Sequence, residues 1–244
     1  MLDKLASLLG FKRASAPPAS GLAQALADYS PYGLPHPGSK HKLSVLQAQE
    51  NLDWLLAHRD ERLALISGLV RQRAGIDTAP ALAEPMAHGP ALADALNAWA
   101  MREWPAIAQP EWGATRWVSL PRDAAHIALS MAMDMAILFG EVIRRGNPDW
   151  RWGLDLSKVN LKDDMGSARR VVLKADPVGR HTEPFLIDLE KQFVTRIWQS
   201  EYYNYQLPDH PWRNVVRYGL NGDYINPWRE KALRYPIREG EDGE

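Results

Sequence analysis

Carboxylates and an imidazole that share one surface can carry out acid–base chemistry, and residues 123–145 contain both kinds of group. If this apolar segment is a helix, His126, Ser130, Asp134 and Glu141 fall within roughly a quarter of its circumference at 100° per residue. Buried carboxylates near an imidazole are one way in which proteins shift pKa values for catalysis. This polar stripe is therefore the strongest candidate for a catalytic site, although about two helical turns, ~12 Å, separate its imidazole from Asp134.

The polar stripe also has a structural interpretation, which the pattern favours. A helix in a bundle must show one edge to solvent, and polar residues confined to one quadrant are typical of such an edge. Glu141 has Arg144 and Arg145 three and four residues later, so it could form ion pairs along the helix. We therefore expect the stripe to face solvent, and we assign no catalytic residue.

A second mixed cluster contains Asp176, His181 and Glu183. It follows a predicted strand, and loops after strands often carry functional residues. A solvated turn is nevertheless the favoured interpretation. The cluster stays a weak catalytic candidate beside the polar stripe.

Sequence motifs for cofactors and metals are missing. The chain has no cysteine, no H-E-x-x-H, no calcium-binding loop, no G-x-S-x-G, no G-x-G-x-x-G and no phosphate-binding G-x-x-x-x-G-K-[ST]. We expect neither a metal nor a cofactor. These absences argue against the common hydrolase, dinucleotide-binding and nucleotide-triphosphate folds, but they leave open a cofactor-independent, hydrolase-like enzyme that uses scattered Asp, Glu and His residues.

Aromatic and arginine side chains crowd the last part of the chain. Such mixtures occur at protein-binding hot spots and on base-stacking surfaces. They also hold together segments with little regular structure, and the pattern favours this packing interpretation over a protein-binding surface and over a nucleic-acid or sugar platform. Six basic and four acidic residues between positions 198 and 238 leave a charge of only +2, which is too small to favour nucleic acid. The candidate binding residues are Trp198, Tyr203, Trp212, Arg213, Arg217, Trp228 and Arg229.

Composition indicates an ordinary globular protein. Of 244 residues, 45% are hydrophobic and 24% are charged, and the formal net charge is −1. This charge gives no overall field for nucleic acid or an anionic membrane. No segment reaches the ~20 apolar residues of a membrane span, and the charges Asp3, Lys12 and Arg13 argue against a signal peptide. We expect a cytoplasmic protein without a membrane span.

Helical periodicity organises the first half of the chain. A capping box, Ser44 with Gln47, begins the first confident helix. We expect a break at residues 58–60 and then a second helix that ends at Gly75. A third helix is predicted to begin at Pro90, and the long apolar segment forms the fourth.

The second half alternates between strands and helices. Residues 150–156 place Trp150, Trp152, Leu154 and Leu156 on one face of a strand, and residues 170–174 form a second strand that could pair with it. A fifth helix is indicated by the spacing of apolar residues at 186, 189, 193 and 197. Further on, Asn221-Gly222 could form a hairpin turn, or its glycine could cap a helix that begins after Pro211.

The expected fold is α+β, with a mostly helical first half, a small antiparallel sheet, and an aromatic-rich, irregular C-terminal part. Residues 1–40 are predicted to form a short helix and an extended Pro/Gly/Ser-rich segment. Residues 41–238 form a single domain, and residues 239–244 form an acidic, mobile tail.

A cysteine-free, nearly neutral chain that is rich in tryptophan and lacks cofactor motifs is similar in general character to bacterial immunity or accessory proteins. This likeness implies an intracellular protein that binds another protein, for example to block a toxin or to chaperone an effector. It transfers no site residue. The sequence therefore favours a protein-binding protein over the hydrolase-like enzyme, with the C-terminal Trp, Tyr and Arg residues as anchors and no nucleic-acid partner.

Overall fold

The computed structural model describes residues 21–38, 42–109, 112, 116–177, 182–198 and 211–222, and within them eight α-helices and one three-stranded antiparallel sheet form an α+β fold. The fold class predicted from the sequence is confirmed. The elements are α1 (Gly21–Ala27), α2 (Val45–Ala74), α3 (Ala79–Ala83), α4 (Pro85–Glu103), α5 (Ile127–Gly146), β1 (Arg151–Leu154), α6 (Lys158–Lys162), β2 (Val171–Ala175), β3 (Phe185–Ile187), α7 (Leu189–Trp198) and α8 (Pro211–Asn221). Short 3₁₀ turns at Trp104–Ile107, Arg116–Ser119 and Ala124–His126 lie between α4 and α5.

Helix α5 is the centre of the fold because apolar side chains cover most of its circumference. It packs against α1, α2, α3, α4, α7 and α8. Together with the turn before it (Ala124–Gly146), it is the one helix among the described residues that is long and apolar enough to cross a membrane. However, 89% of its most apolar window is buried inside the protein, which is typical of the core helix of a globular fold.

Helix α2 runs for 30 residues without interruption. Its start is the predicted capping box, in which Ser44 accepts from the Gln47 backbone while the glutamine side chain accepts from the Ser44 backbone. Its end is capped by Gly75 in the left-handed conformation, with φ 66°. The predicted break at residues 58–60 was wrong, because these residues include no Gly or Pro and the buried face continues from Leu55 to Leu63.

Helix α4 begins at Pro85, five residues before the predicted start at Pro90. Pro85 occupies the first helical position, where its missing N–H costs nothing. Pro90 lies inside the helix, where it removes one backbone hydrogen bond. Packing outweighs this loss: Gly89 is buried, and a Cβ on it would lie 2.9 Å from Val142 of α5.

The two predicted strands pair antiparallel, with Trp152 opposite Leu173 and Leu154 opposite Val171. The tryptophan lies so close to α5 that a Cβ on Gly140 would be 2.2 Å from its ring, so only glycine fits there. The sequence analysis missed β3, which pairs with β2. Leu186 belongs to this strand, and the predicted fifth helix begins only at Leu189.

Both ends of the described chain contribute to the core. Residues Leu22 and Leu26 of α1 are buried, and so are Tyr29 and Tyr32 in the extended segment after it. Part of the predicted N-terminal segment thus packs with the domain. At the other end, the helical alternative after Pro211 is the one that forms, with Gly222 left-handed after α8. The predicted acidic tail, residues 239–244, lies outside the described residues.

Candidate functional site

The polar stripe on α5 is buried and does not face solvent. Ser130, Asp134 and Glu141 have no exposed surface, so the prediction of a solvated edge was wrong. The physical reason is that arginines from other parts of the chain and from the end of α5 compensate the two carboxylates. His126 lies in the turn before α5, where its Nδ1 is 2.9 Å from Asp123, and it joins neither carboxylate.

Asp134 forms a bidentate ion pair with Arg62 of α2. The Arg62 Nε donates to Oδ1 at 2.8 Å and Nη2 donates to Oδ2 at 2.5 Å, while the Tyr29 hydroxyl donates to Oδ2 at 2.6 Å. The arginine is itself 2% exposed. All the charged atoms of this pair therefore have partners inside the protein, as a buried ion pair requires.

The same arginine holds the N-terminal segment against the helices. Its guanidinium donates to the carbonyl oxygens of Ser30 at 2.9 Å and Pro31 at 3.2 Å. One residue later, the Tyr32 backbone N–H donates to the Ser130 hydroxyl at 2.9 Å. Two residues of the polar stripe thus fasten residues 29–32 to the core.

Asp134 should make the stability of the protein depend on pH. Burial raises its pKa from the ordinary value of 3.8 to about 6 against the opposing effect of Arg62. Because the folded state then binds the proton more tightly than the unfolded state, this group adds about 1 kcal/mol of stability as the pH falls from 7 to 5. Urea denaturation of the wild type and Asp134→Asn at both pH values measures the difference. An identical pH dependence in the two proteins would contradict the assignment.

Glu141 lies at the centre of a group of arginines. Arg144 donates to its two oxygens at 3.1 and 2.8 Å, and the Trp152 indole donates at 3.1 Å. Arg59 and Arg145 each place Nε 3.7 Å from the same carboxylate. Burial alone would raise the pKa of Glu141, but the hydrogen bonds from Arg144 and Trp152 outweigh it and hold the pKa below its usual value. The predicted pairing of Glu141 with arginines on α5 is confirmed.

A third buried charge network has no counterpart in the sequence analysis. Glu190 of α7 accepts hydrogen bonds from Arg122 and, at 2.6 Å, from Arg170. Arg170 also bonds to Asp188 and stacks over the Trp117 ring, 4.4 Å from its centre. Two positive and two negative charges balance here. Arg122 and Arg170 lie 68 and 20 positions before Glu190 in the sequence, so no local sequence pattern indicates the network.

The second candidate cluster is not brought together within the described residues. Asp176 is exposed and pairs with Arg151 at 2.6 Å, and Glu183 is half-buried. His181 lies outside the described residues. The exposed pair between β1 and the end of β2 agrees with the solvated turn that the sequence favoured.

The candidate binding residues near the C-terminus have different environments. Trp212 is 3% exposed and packs among Trp104, Phe139 and Phe193, so it is a core residue and cannot anchor a partner from there. Trp198 is half-buried. On the surface of α8, Arg213 pairs with Asp94 at 3.1 Å, and Arg217 is exposed. Tyr203, Trp228 and Arg229 lie outside the described residues.

A loop that the sequence analysis passed over is built around one buried carboxylate. Residues 156–169 connect β1 to β2, and Asp155 at their start is fully buried. It accepts hydrogen bonds from the Ser157 backbone at 3.1 Å, the Asn160 amide at 2.8 Å and the Ser167 hydroxyl at 2.6 Å. Backbone bonds between Asp155 and residues 169 and 170 close the base of the loop. The loop is therefore held in one conformation by its own polar groups.

This loop presents apolar side chains to solvent. Leu156, Val159 and Met165 are 41%, 53% and 44% exposed. Arg169 at the end of the loop has a φ of 61° and donates to the Leu43 carbonyl at 2.5 Å, which joins the loop to the start of α2. Val45 and Leu46 are exposed there. We call Leu156, Val159 and Met165 the loop surface.

Three of the clefts in the described part of the protein are wide enough to be considered for a small ligand. Two open grooves of about 520 and 460 Å³ flank α2 on either side of Ala64 and Gly68, and neither is lined by a candidate catalytic residue. His126 lines a cleft of about 180 Å³, whose other lining residues are apolar except for Gln109. The buried carboxylates Asp134 and Glu141 line none of these three clefts.

Within the described residues, no group of three or more His, Cys, Asp or Glu side chains is placed to hold a metal ion. Comparisons of the chain with protein-family models, with curated proteins and with solved structures found no match.

Proposed function

We propose that this protein binds another protein, and that the loop surface is the contact. The observation that carries the proposal is the conformation of residues 156–169. Buried Asp155 holds the loop rigid, yet Val159 and Met165 remain exposed to water. A polar scaffold of this kind keeps apolar side chains ready for a partner before binding.

Rigidity matters because binding usually loses affinity to the ordering of loops and side chains. A loop that is already ordered avoids much of this entropic cost. Val159 and Met165 are about half exposed, so burying the rest of each side chain against a partner would contribute about 1 kcal/mol per residue, roughly half of the value for a fully exposed side chain. Together the two residues can contribute on the order of 2 kcal/mol at the centre of an interface.

The charges around the loop favour a protein as the partner. Two exposed lysines, Lys158 and Lys162, and two exposed aspartates, Asp163 and Asp164, lie next to the exposed apolar residues in the sequence. Their charges cancel, so they give no net positive charge to attract nucleic acid or an anionic membrane, whereas protein interfaces commonly have an apolar centre and a polar rim. The immunity or accessory role expected from the sequence stays a prediction, and it implies that the partner is a toxin or an effector.

The loop surface replaces part of the C-terminal surface expected from the sequence. Trp212 is unavailable because it lies in the core. Arg217 is exposed on α8 and stays a candidate contact. The hydrolase-like alternative has less support, because Asp134 and Glu141 are both engaged in ion pairs.

The test compares Val159→Ser/Met165→Ser with the wild type. A tagged protein is used to isolate one stoichiometric partner, which is then purified, and the affinity is measured by titration calorimetry. We expect the double variant to bind at least about tenfold more weakly, because two apolar anchors are lost. The matched control is Met86→Ser/Met101→Ser, which removes two exposed methionines of α4 and should leave the affinity unchanged.

Two outcomes would reject the loop surface. One is equal affinity of the wild type and the loop variant. The other is an equal loss in the loop variant and the α4 control. If Arg217→Ala alone weakens binding, the contact lies on α8 instead. Self-association that disappears in the loop variant would identify a second copy of this chain as the occupant and overturn the proposal of a different protein.

A further inference from the structure

Three arginines converge on one carboxylate at the surface between α2 and α5. Arg144 is hydrogen-bonded to Glu141, and Arg59 and Arg145 lie 3.7 Å from it. Glu141 is completely buried, whereas 26%, 34% and 40% of the side chains of Arg59, Arg144 and Arg145 are exposed. The guanidinium groups thus form a layer between a buried anion and solvent.

The negative charge in this cluster does not match the positive charge. Among the described residues, the three guanidinium groups face Glu141 and one further carboxylate, that of Asp60, which accepts from Arg59 at 3.1 Å. Three positive and two negative charges leave a surplus of one positive charge. Glu141 carries a single negative charge, and its oxygens accept three hydrogen bonds from Arg144 and Trp152.

Within the described part of the chain, the hydrogen bonds of these three arginines use four N–H donors, three of them on the two carboxylates. A guanidinium carries five N–H donors. Arg144 uses two on Glu141, Arg59 uses one on Asp60, and Arg145 uses one on the Leu82 carbonyl at 3.4 Å. Guanidinium groups that share a buried carboxylate are held near one another, so their outward donors can converge on a single ligand.

We propose that Arg59, Arg144 and Arg145 form a binding site for a phosphate group. The buried carboxylate orients the arginines, and the fixed contact between α2 and α5 keeps their spacing. Planar guanidinium groups match the oxygen geometry of phosphate and bind it through paired hydrogen bonds. The site is separate from the loop surface, and it does not depend on the proposed function.

Asp60 provides the sharpest variant because it competes with the ligand. Its side chain is 80% exposed and bonds to Arg59, so Asp60→Asn changes the charge at the site without disturbing the core. Removing this carboxylate should tighten anion binding about threefold, since one repulsive charge is lost and one arginine donor is released. Asp53→Asn is the matched control, because Asp53 is exposed on the same helix and bonds only to Gln49 among the described residues.

Inorganic phosphate is the probe, titrated by calorimetry at low ionic strength in a buffer free of phosphate and sulfate. Arg59→Gln/Arg145→Gln should bind phosphate at least about tenfold more weakly than the wild type. The control Arg71→Gln/Arg102→Gln removes the same charge from exposed positions on α2 and α4 and should stay within about twofold. Circular dichroism and thermal unfolding confirm that each variant is folded.

The proposal is overturned if the wild type shows no saturable phosphate binding. It is also overturned if the two double variants lose affinity equally, because the effect would then be one of net charge. If Arg59→Gln/Arg145→Gln does not fold, the pair Asp60→Asn and Asp53→Asn decides alone: tighter binding only in the first supports the site, and equal binding rejects it.

Discussion

Replacing Asp134 with alanine is expected to lower the free energy of unfolding by about 3–5 kcal/mol. The substitution leaves Arg62 charged and buried without its counter-ion, and it removes the acceptor of the Tyr29 hydroxyl. A charge without a partner in the interior is strongly destabilising, whatever the intact pair contributes. Urea denaturation followed by circular dichroism measures the change at pH 7.

The chain offers a matched control for this prediction. Asp176 forms an ion pair with Arg151 at 2.6 Å, close to the 2.5 Å between Asp134 and Arg62. The side chains of Asp176 and Arg151 are both exposed. Asp176→Ala should leave the free energy of unfolding unchanged, because water solvates the arginine once the carboxylate is gone. Similar effects in the two variants would mean that burial does not decide the contribution of the ion pair at Asp134.

Asp134→Ala should also loosen the N-terminal segment. Arg62 bridges the carboxylate to the carbonyl oxygens of Ser30 and Pro31, so an arginine without its counter-ion no longer has a fixed position. Hydrogen exchange of the backbone amide of Tyr32, which is bonded to Ser130, should become faster than in Asp176→Ala. Unchanged exchange in a folded Asp134→Ala variant would show that the segment is held by its apolar contacts alone.

Trp212→Ala is expected to destabilise the protein by about 3–5 kcal/mol, as for other large aromatic residues removed from a core. The ring of Trp212 lies 4.9 Å from that of Phe193, 5.3 Å from that of Trp104 and 5.8 Å from that of Phe139, centre to centre. Its loss leaves a cavity between α5, α7, α8 and the 3₁₀ turn that begins at Trp104, because these packed elements cannot all close around the gap. Denaturation by urea gives the change in the free energy of unfolding.

Arg217→Ala is the control for Trp212 on the same helix. The arginine is exposed, so its removal should change the free energy of unfolding by less than about 0.5 kcal/mol. If Trp212→Ala were as stable as the wild type and lost partner binding, the indole would contact the partner and would not be part of the core.

The elements that the sequence predicted well are those specified by local patterns. The capping box at Ser44, the left-handed Gly75 and the antiparallel pair around Trp152 each follow from residues a few positions apart. The central position of α5 was expected because apolar residues cover more of its circumference than a single buried face requires. Local patterns also misled at Pro90, because nearby packing outweighs the loss of one hydrogen bond.

The environment of the candidate residues could not be predicted in the same way. Asp134 is buried because Arg62, 72 positions earlier, reaches it, and periodicity along α5 carries no information about that arginine. Polar residues confined to one quadrant of a helix therefore indicate either an edge that faces solvent or a buried edge whose polar groups have partners on other elements. The loop around Asp155 has the same limitation, since its closing hydroxyl on Ser167 lies 12 positions away.

The position of α5 in the chain has a consequence for synthesis on the ribosome. This apolar helix emerges before α7 and α8, which cover part of its surface and together span Leu189–Asn221. Until those residues leave the exit tunnel, one side of α5 has no intramolecular cover, and exposed apolar surface of this kind promotes aggregation. Nascent chains stalled just before Leu189 is added, long enough for most of α5 to have left the exit tunnel, should therefore bind chaperones more strongly than chains released at full length.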